Sequence, residues 1–195
     1  MILKINTTCD ILKIGENMTK TQKIVHLAIF AAIASVVSVL DRYISSFIFP
    51  LIPGAKIGLA NIVVMVALLN FDFKDCIILV LLKVLIGNLL FFGLTSFFIG
   101  GAASLVSFLI MYVLKRYLNK AFSIIGIGMI GAFTHSIVQL LVIMLIYSFG
   151  KETFIYGFYL IIISIASGVI MSLIALNVND LYTHIYNKKE NEKAS

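Results

Sequence analysis

Apolar residues run along this chain in long stretches, broken at intervals by short polar or glycine-proline interruptions. The first stretch, 24–40, follows Lys20 and Lys23 and ends at Asp41, Arg42 and Tyr43. It lies too deep in the chain for an ordinary signal peptide, and no small-residue cleavage site follows it, so it predicts a first membrane helix. Residues 43–55 lack charge but hold Pro50 and Pro53, followed by Gly54. Proline removes a backbone donor and clashes with the preceding helical turn, so this segment predicts an irregular loop or a re-entrant segment.

The later stretches repeat the pattern. Residues 57–71 are apolar and short, and Asp72, Lys74 and Asp75 make a tight polar turn. A third helix is predicted over 76–92 with Lys83 inside it, then a turn at Gly93, Thr95 and Ser96. The fourth runs over 97–114 and ends at Lys115 and Arg116; charge-free stretches at 121–149 and 153–178 supply the fifth and sixth. Period-two alternation is absent, and a membrane barrel would be far less uniformly apolar. The predicted fold is therefore all-α: a single membrane domain at 24–186 of six transmembrane helices in one bundle. A cytoplasmic segment at 1–23 precedes it and a polar tail at 187–195 follows. Met18 heads a Thr-Lys-Thr-Gln-Lys run that would itself be a good start, so residues 1–17 are expected to be a start-site extension without a structural role.

Composition narrows the class further. Of 195 residues, 61% are hydrophobic and 12% charged, with a mean hydropathy of +1.09. A soluble domain carries roughly 25% charged residues. A soluble chain of this size could not hide so much apolar surface, which excludes an ordinary soluble enzyme. Disorder is excluded by the same hydrophobicity. At about 20 residues per spanning helix, the length allows at most about eight helices and no sizeable soluble domain.

The net charge of +6 reports orientation rather than nucleic-acid binding. With the N-terminus in the cytoplasm, the inside segments hold Lys4, Lys13, Lys20, Lys23, Lys74, Lys115, Arg116, Lys120, Lys188, Lys189 and Lys193; the outside segments hold Arg42, Lys56 and Lys151. Such an excess, with an even helix number, places both termini inside a cell membrane. Cys9 and Cys76 have no metal-ligand spacing and read as two free thiols. No metal or cofactor is expected.

A few polar residues inside the apolar stretches are candidates for recognition. Lys83 is the sharpest, because a lysine at mid-helix costs about 2.5–3.5 kcal/mol on insertion scales. That cost is tolerable if the amine meets water, a carboxylate or an anionic ligand, or if it snorkels to the cytoplasmic interface two turns away. His135 and Gln139, with Gly131 four residues earlier, form one helical stripe. They face either a ligand or a neighbouring helix through hydrogen bonds. Asn61 and Asn88 are lone amides that either line a site or bond neighbouring backbone. Lys56 stands either at the outer mouth of a pocket or at the interface. Ala28 and Ala32, with Ala31 and Ser35 beside them, give small-residue spacing on the first helix, a docking face or chance in an alanine-rich segment.

Other patterns carry less. Gly126, Gly128 and Gly131 spell G-x-G-x-x-G inside a membrane helix, where helix packing is expected and a dinucleotide is not. No Walker A sequence occurs. Asp72 and Asp75 flank Lys74 and read as a solvated turn, since a magnesium-diphosphate site needs several converging carboxylates.

The run Pro53-Gly54-Ala55-Lys56-Ile57-Gly58-Leu59-Ala60-Asn61-Ile62 resembles the signature segment of the Gx transporter family, also labelled heptaprenyl diphosphate synthase component I. The Lys83–Asn88 segment, the Gly100-Gly101 pair, and Gly131-Ala132-Phe133-Thr134-His135 with Gln139 fit the same pattern, so the resemblance covers about residues 20–185. That family is similar to the substrate-binding S-components of energy-coupling factor transporters. These are six-helix membrane proteins that bind a vitamin or related molecule and dock on a shared membrane subunit carrying two ATPases.

The resemblance implies an outward pocket lined by the Pro53–Asn61 region and polar positions of later helices. Lys56 and Asn61 are carried by the signature segment; Lys83, Asn88, His135 and Gln139 are added by their burial in apolar helices. Ala28 and Ala32 would contact an energy-coupling membrane subunit. The expected ligand is a small, partly anionic molecule, related to a vitamin, a quinone or an isoprenoid, captured in a bacterial plasma membrane. Prenyl diphosphate synthases use aspartate-rich motifs, and no Asp-Asp pair occurs here. If the synthase label is the apt one, it implies a non-catalytic membrane partner in menaquinone side-chain synthesis. The chain is therefore not expected to be an enzyme. A self-sufficient carrier would call for inverted repeats, and no matching halves are visible.

Overall fold

A computed structural model describes Gly15 and residues 18–48, 57–118, 121–147 and 152–194. The described residues are mostly helical, with no strand among them: α1 Lys20–Ile48, α2 Asn61–Asn70, α3 Phe73–Val84, α4 Phe91–Tyr117, α5 Ile124–Tyr147 and α6 Glu152–Ala194. A π-helical turn, Leu85–Leu90, joins α3 to α4.

Four segments are long and apolar enough to cross a bilayer: Lys20–Ile48, Gly93–Tyr117, Ile124–Ile146 and Gly157–Lys188. The shortest has 23 residues, which at about 1.5 Å per residue spans a hydrocarbon core about 30 Å thick. The other two helices differ from the expectation of six full spans. α2 has 10 residues and reaches only about half that thickness. α3 has 12 and depends on the π turn to continue toward α4.

α2 is the centre of the bundle. Val63 through Asn70 are all buried. A helix hydrophobic all round needs neighbours all round, and α1, α3, α4 and α6 supply them. Val64, Val66 and Leu68 pack with Leu27 of α1, Leu79 and Val80 of α3, Phe108 and Met111 of α4 and Ala175 of α6 in one apolar cluster. The outward faces stay apolar, as lipid contact requires: Ile24, Ile29 and Val36 on α1, Leu141 and Leu145 on α5, Ile162 and Ile170 on α6 are exposed.

The glycine pattern in α5 is a packing device. A Cβ on Gly128 would fall 1.8 Å from the Ser172 hydroxyl of α6, and one on Gly131 would fall 2.4 Å from Met111 Sδ of α4. α5 therefore approaches both neighbours closely through these two positions.

Three boundaries move from their expected places. α1 continues past Asp41 to Ile48, because Asp41 turns inward rather than marking the membrane edge. Gly93 breaks the path at the expected turn with φ 79°, a left-handed value that favours glycine. The polar tail set apart at 187–195 is continuous with α6 through Ala194. Gly15, from the segment expected to lack a structural role, lies against the Asn70 carbonyl and the Phe71 ring; residues 1–14, 16 and 17 are outside the described residues.

Candidate functional site

The site is built around the turn that starts α2. Gly58 has φ 96°, which an L side chain adopts only with strain, and its backbone lets the chain reverse into Asn61. The turn's N–H groups lie away from any helix ladder, and an unsatisfied donor is costly in a low-dielectric interior. Asp41 meets that need from α1. Its Oδ2 accepts from Gly58 N–H at 2.9 Å and Leu59 N–H at 3.1 Å. Ser45, one helical turn on, donates to Asp41 Oδ1 at 3.3 Å and accepts from Ile57 N–H at 3.0 Å. Asp41 is 2% exposed, so this lone carboxylate inside an apolar helix organises the turn.

Asn61, the first residue of α2, receives a hydrogen bond from Lys83 Nζ to its Oδ1 at 2.9 Å. Lys83 is 4% exposed, and its amine is held inside the bundle at Asn61 and does not reach out to solvent as a snorkelling lysine would.

Asn88 lies five residues after Lys83. In a straight α-helix that spacing puts two side chains about 140° apart. The wider π turn over Leu85–Leu90 changes the register between them, and both residues border one cleft. π turns of this kind recur at functional sites. Gly100 of α4 makes room: a Cβ there would sit 2.5 Å from Asn88 Nδ2.

A small cleft lies between these groups. Asp41, Asn61, Lys83, Asn88 and His135 border it, with Ser38 and Ser104 beside them. A second small cleft adjoins it and shares Gly58 and Asn61. Its wall is mostly apolar, with Ile57, Met65, Met111, Ala132 and Met171. One cation, one carboxylate, two amides, an imidazole and two hydroxyls thus face one space, beside a second space lined by thioethers and hydrocarbon. Such an arrangement can bind and orient a ligand.

Four of the six residues singled out for ligand binding therefore meet at one cleft: Asn61, Lys83, Asn88 and His135. Gln139 is fully buried one turn further along α5, and is not among the described residues that border either cleft. Lys56 lies outside the described residues. Ala28 and Ala32 are exposed on the outer face of α1, whereas Ala31 and Ser35 turn inward, Ser35 beside Gly87 of the π turn. Asp41, Ser38 and Ser45 escaped the sequence reading. Their one signal was spacing: Ser38, Asp41 and Ser45 lie three and four residues apart, on one helical face.

Asp72 and Asp75 are engaged at the opposite end of α2. Lys23 Nζ lies 3.0 Å from Asp75 and 3.5 Å from Asp72, tying the start of α1 to the α2–α3 turn. No group of three potential metal ligands occurs among the described residues, and Cys76 is buried. Cys9 lies outside them.

No curated protein and no solved structure matches the chain. A family model described as heptaprenyl diphosphate synthase component I matches residues 30–178. The match starts within α1, runs into α6 and takes in every residue that borders the two clefts, so the chain belongs to the heptaprenyl diphosphate synthase component I family.

Proposed function

We propose that this chain is the ligand-capturing membrane subunit of a small-molecule transporter, similar to an S-component. The observation that carries the proposal is Lys83. A buried ammonium in an apolar helix is costly to insert and is retained where it does something. Here it stands at the wall of a cleft with Asn61, Asn88 and His135. The six helical segments sit in the bilayer with both termini cytoplasmic, an orientation supported by the lysine and arginine excess on that side. The clefts then lie toward the outer face, at the end of the bundle where α1 finishes and α2 begins.

The chain supplies recognition and no chemistry. It has no Asp-Asp pair and no Walker A sequence. Turnover falls to an ATPase-bearing membrane partner that docks on the outer face of α1, where exposed Ala28 and Ala32 permit close helix approach. The test is co-expression with an energy-coupling module. A stable complex is expected, and Ala28→Leu with Ala32→Leu is expected to disrupt it and to stop uptake. If no complex forms and the double variant leaves uptake unchanged, docking through α1 is wrong.

The family match favours a second reading. In it, the chain is a non-catalytic membrane subunit of a heptaprenyl diphosphate synthase, serving menaquinone side-chain synthesis. It requires a deletion strain to lose long-chain product, and the chain to restore it with no transport partner present.

A further inference from the structure

The polar cleft joins two bodies that meet α1 in different ways. The first is the turn that starts α2. Ser45 of α1 accepts from Ile57 N–H at 3.0 Å, and Asp41 accepts from Gly58 and Leu59 N–H at 2.9 and 3.1 Å. These bonds tie the turn to α1. The second body is the π turn, which carries Asn88 and follows Lys83. It meets α1 through Gly87, by close packing. A Cβ on Gly87 would fall 3.1 Å from Ser38 Cβ, 3.4 Å from Ser38 Oγ and 3.6 Å from Ser35 Cα. On its other side the π turn fits against α4, where Gly100 leaves room for Asn88. The Lys83–Asn61 hydrogen bond spans the two bodies at 2.9 Å.

We propose that Gly87 and Ser38 are positioning residues for recognition. Their contact sets how far the π turn stands from α1, and so where Lys83 and Asn88 stand relative to Asp41 and Asn61 across the cleft. Gly87 is not among the described residues that border the cleft, so it acts through Lys83 and Asn88, which do. A close-packed interior passes on a small displacement instead of absorbing it. One methyl at Gly87 requires its neighbours to give by a few tenths of an ångström. Three bonds hold the turn to α1, so α1 carries the turn with it and draws Asn61 away from Lys83. An N–H···O bond has left its usual range beyond about 3.2 Å, so a shift of that size registers there first. The inference rests on the reading of this cleft as the recognition site, but the contact itself is tested without a ligand.

The experiment uses the full chain in lipid nanodiscs with isotope-labelled asparagine. The Asn61 carboxamide resonance is assigned by its loss in Asn61→Asp and calibrated by Lys83→Met, which removes the hydrogen bond. Gly87→Ala is expected to move the resonance toward its Lys83→Met position, and Gly87→Val to move it further. Ser38→Gly removes the facing Cβ, so in the Gly87→Ala background it should return the resonance to the wild-type position. Leu85→Ala is the control, a half-exposed position in the same π turn, and should leave the resonance in place. Hydrogen exchange at the Gly58 and Leu59 amides supplies the readout that separates positioning from loosening. It should stay within about twofold of wild type in both Gly87 variants, because the turn moves with α1.

An Asn61 resonance that stays put in Gly87→Val would overturn the proposal. So would a shift in Gly87→Ala that Ser38→Gly does not reverse. Exchange at Gly58 and Leu59 that rises with the Asn61 shift would show a loosened turn, and would overturn the claim that α1 and the turn move as one body. None of these results bears on whether a molecule is captured. If wild type retains no small molecule through purification, ligand capture falls and the positioning contact stands or falls by the resonance alone.

Discussion

Each end of α2 meets a lysine, Lys83 buried and Lys115 half-buried, and the two lysines do different things. At the Asn70 end, Lys115 of α4 donates to the carbonyls of Leu68 and Leu69. These are last-turn acceptors with no intrahelical partner, and a cation there also opposes the helix dipole. Around it, Asn70 donates to Val66 O at 2.8 Å and to Asn179 of α6, and Lys23 pairs with Asp75. Polar groups at this end are spent on backbone and on one another. At the Asn61 end, Lys83 meets a side-chain amide at the edge of a cleft. A short buried helix must satisfy both its ends in a medium without water. One end does so by closed packing, and the other does so through Asp41 and leaves room beside Lys83. A lysine drawn into the bundle therefore does not itself mark a ligand site; what it borders does.

Substitutions separate the two ends by which property they change. The largest loss of stability is expected for Asp41→Ala, which orphans the N–H groups of Gly58 and Leu59 at about 1–3 kcal/mol each. Lys115→Met comes next, at about 1–3 kcal/mol for the uncapped carbonyls. Asn179→Leu should cost about 1–2 kcal/mol by stranding the Asn70 amide, with Asn70→Leu on top costing less than the sum of the two single changes. Lys83→Met should cost about 1–3 kcal/mol, because it strands the Asn61 side-chain oxygen. Reversible unfolding of the detergent-solubilised protein in mixed micelles measures all four. Stability does not by itself part Lys83→Met from Lys115→Met; loss of bound ligand in the first alone does, and equal ligand loss in both would erase the contrast between the ends. Gly100→Ala sharpens it instead: the added methyl displaces Asn88, so ligand affinity should fall while the fold persists.

Much of this was legible in the sequence because a bilayer leaves few options. Charge-free runs mark the long helices, and the break at Gly93 shows in its neighbours Thr95 and Ser96. Asn61, Lys83, Asn88 and His135 stood out because a polar side chain in an apolar helix has to be explained. What escaped has physical reasons too. Asp41 sits beside Arg42 and so reads as a helix flank, yet its partners lie 17 and 18 residues away at backbone atoms that no sequence pattern displays. The π turn that changes the Lys83–Asn88 register has no periodicity signal over six residues. Nor could the apolar run at 57–71 reveal that α2 has only 10 residues and is enclosed by its neighbours rather than spanning.

The most direct test of the contrast between the ends is native mass spectrometry of the chain purified from its membrane, with wild type, Lys83→Met and Lys115→Met compared in one experiment. The expected result is a small molecule retained by wild type and by the folded fraction of Lys115→Met, and lost from Lys83→Met. Retention by Lys83→Met at wild-type occupancy would contradict the assignment of Lys83 to recognition.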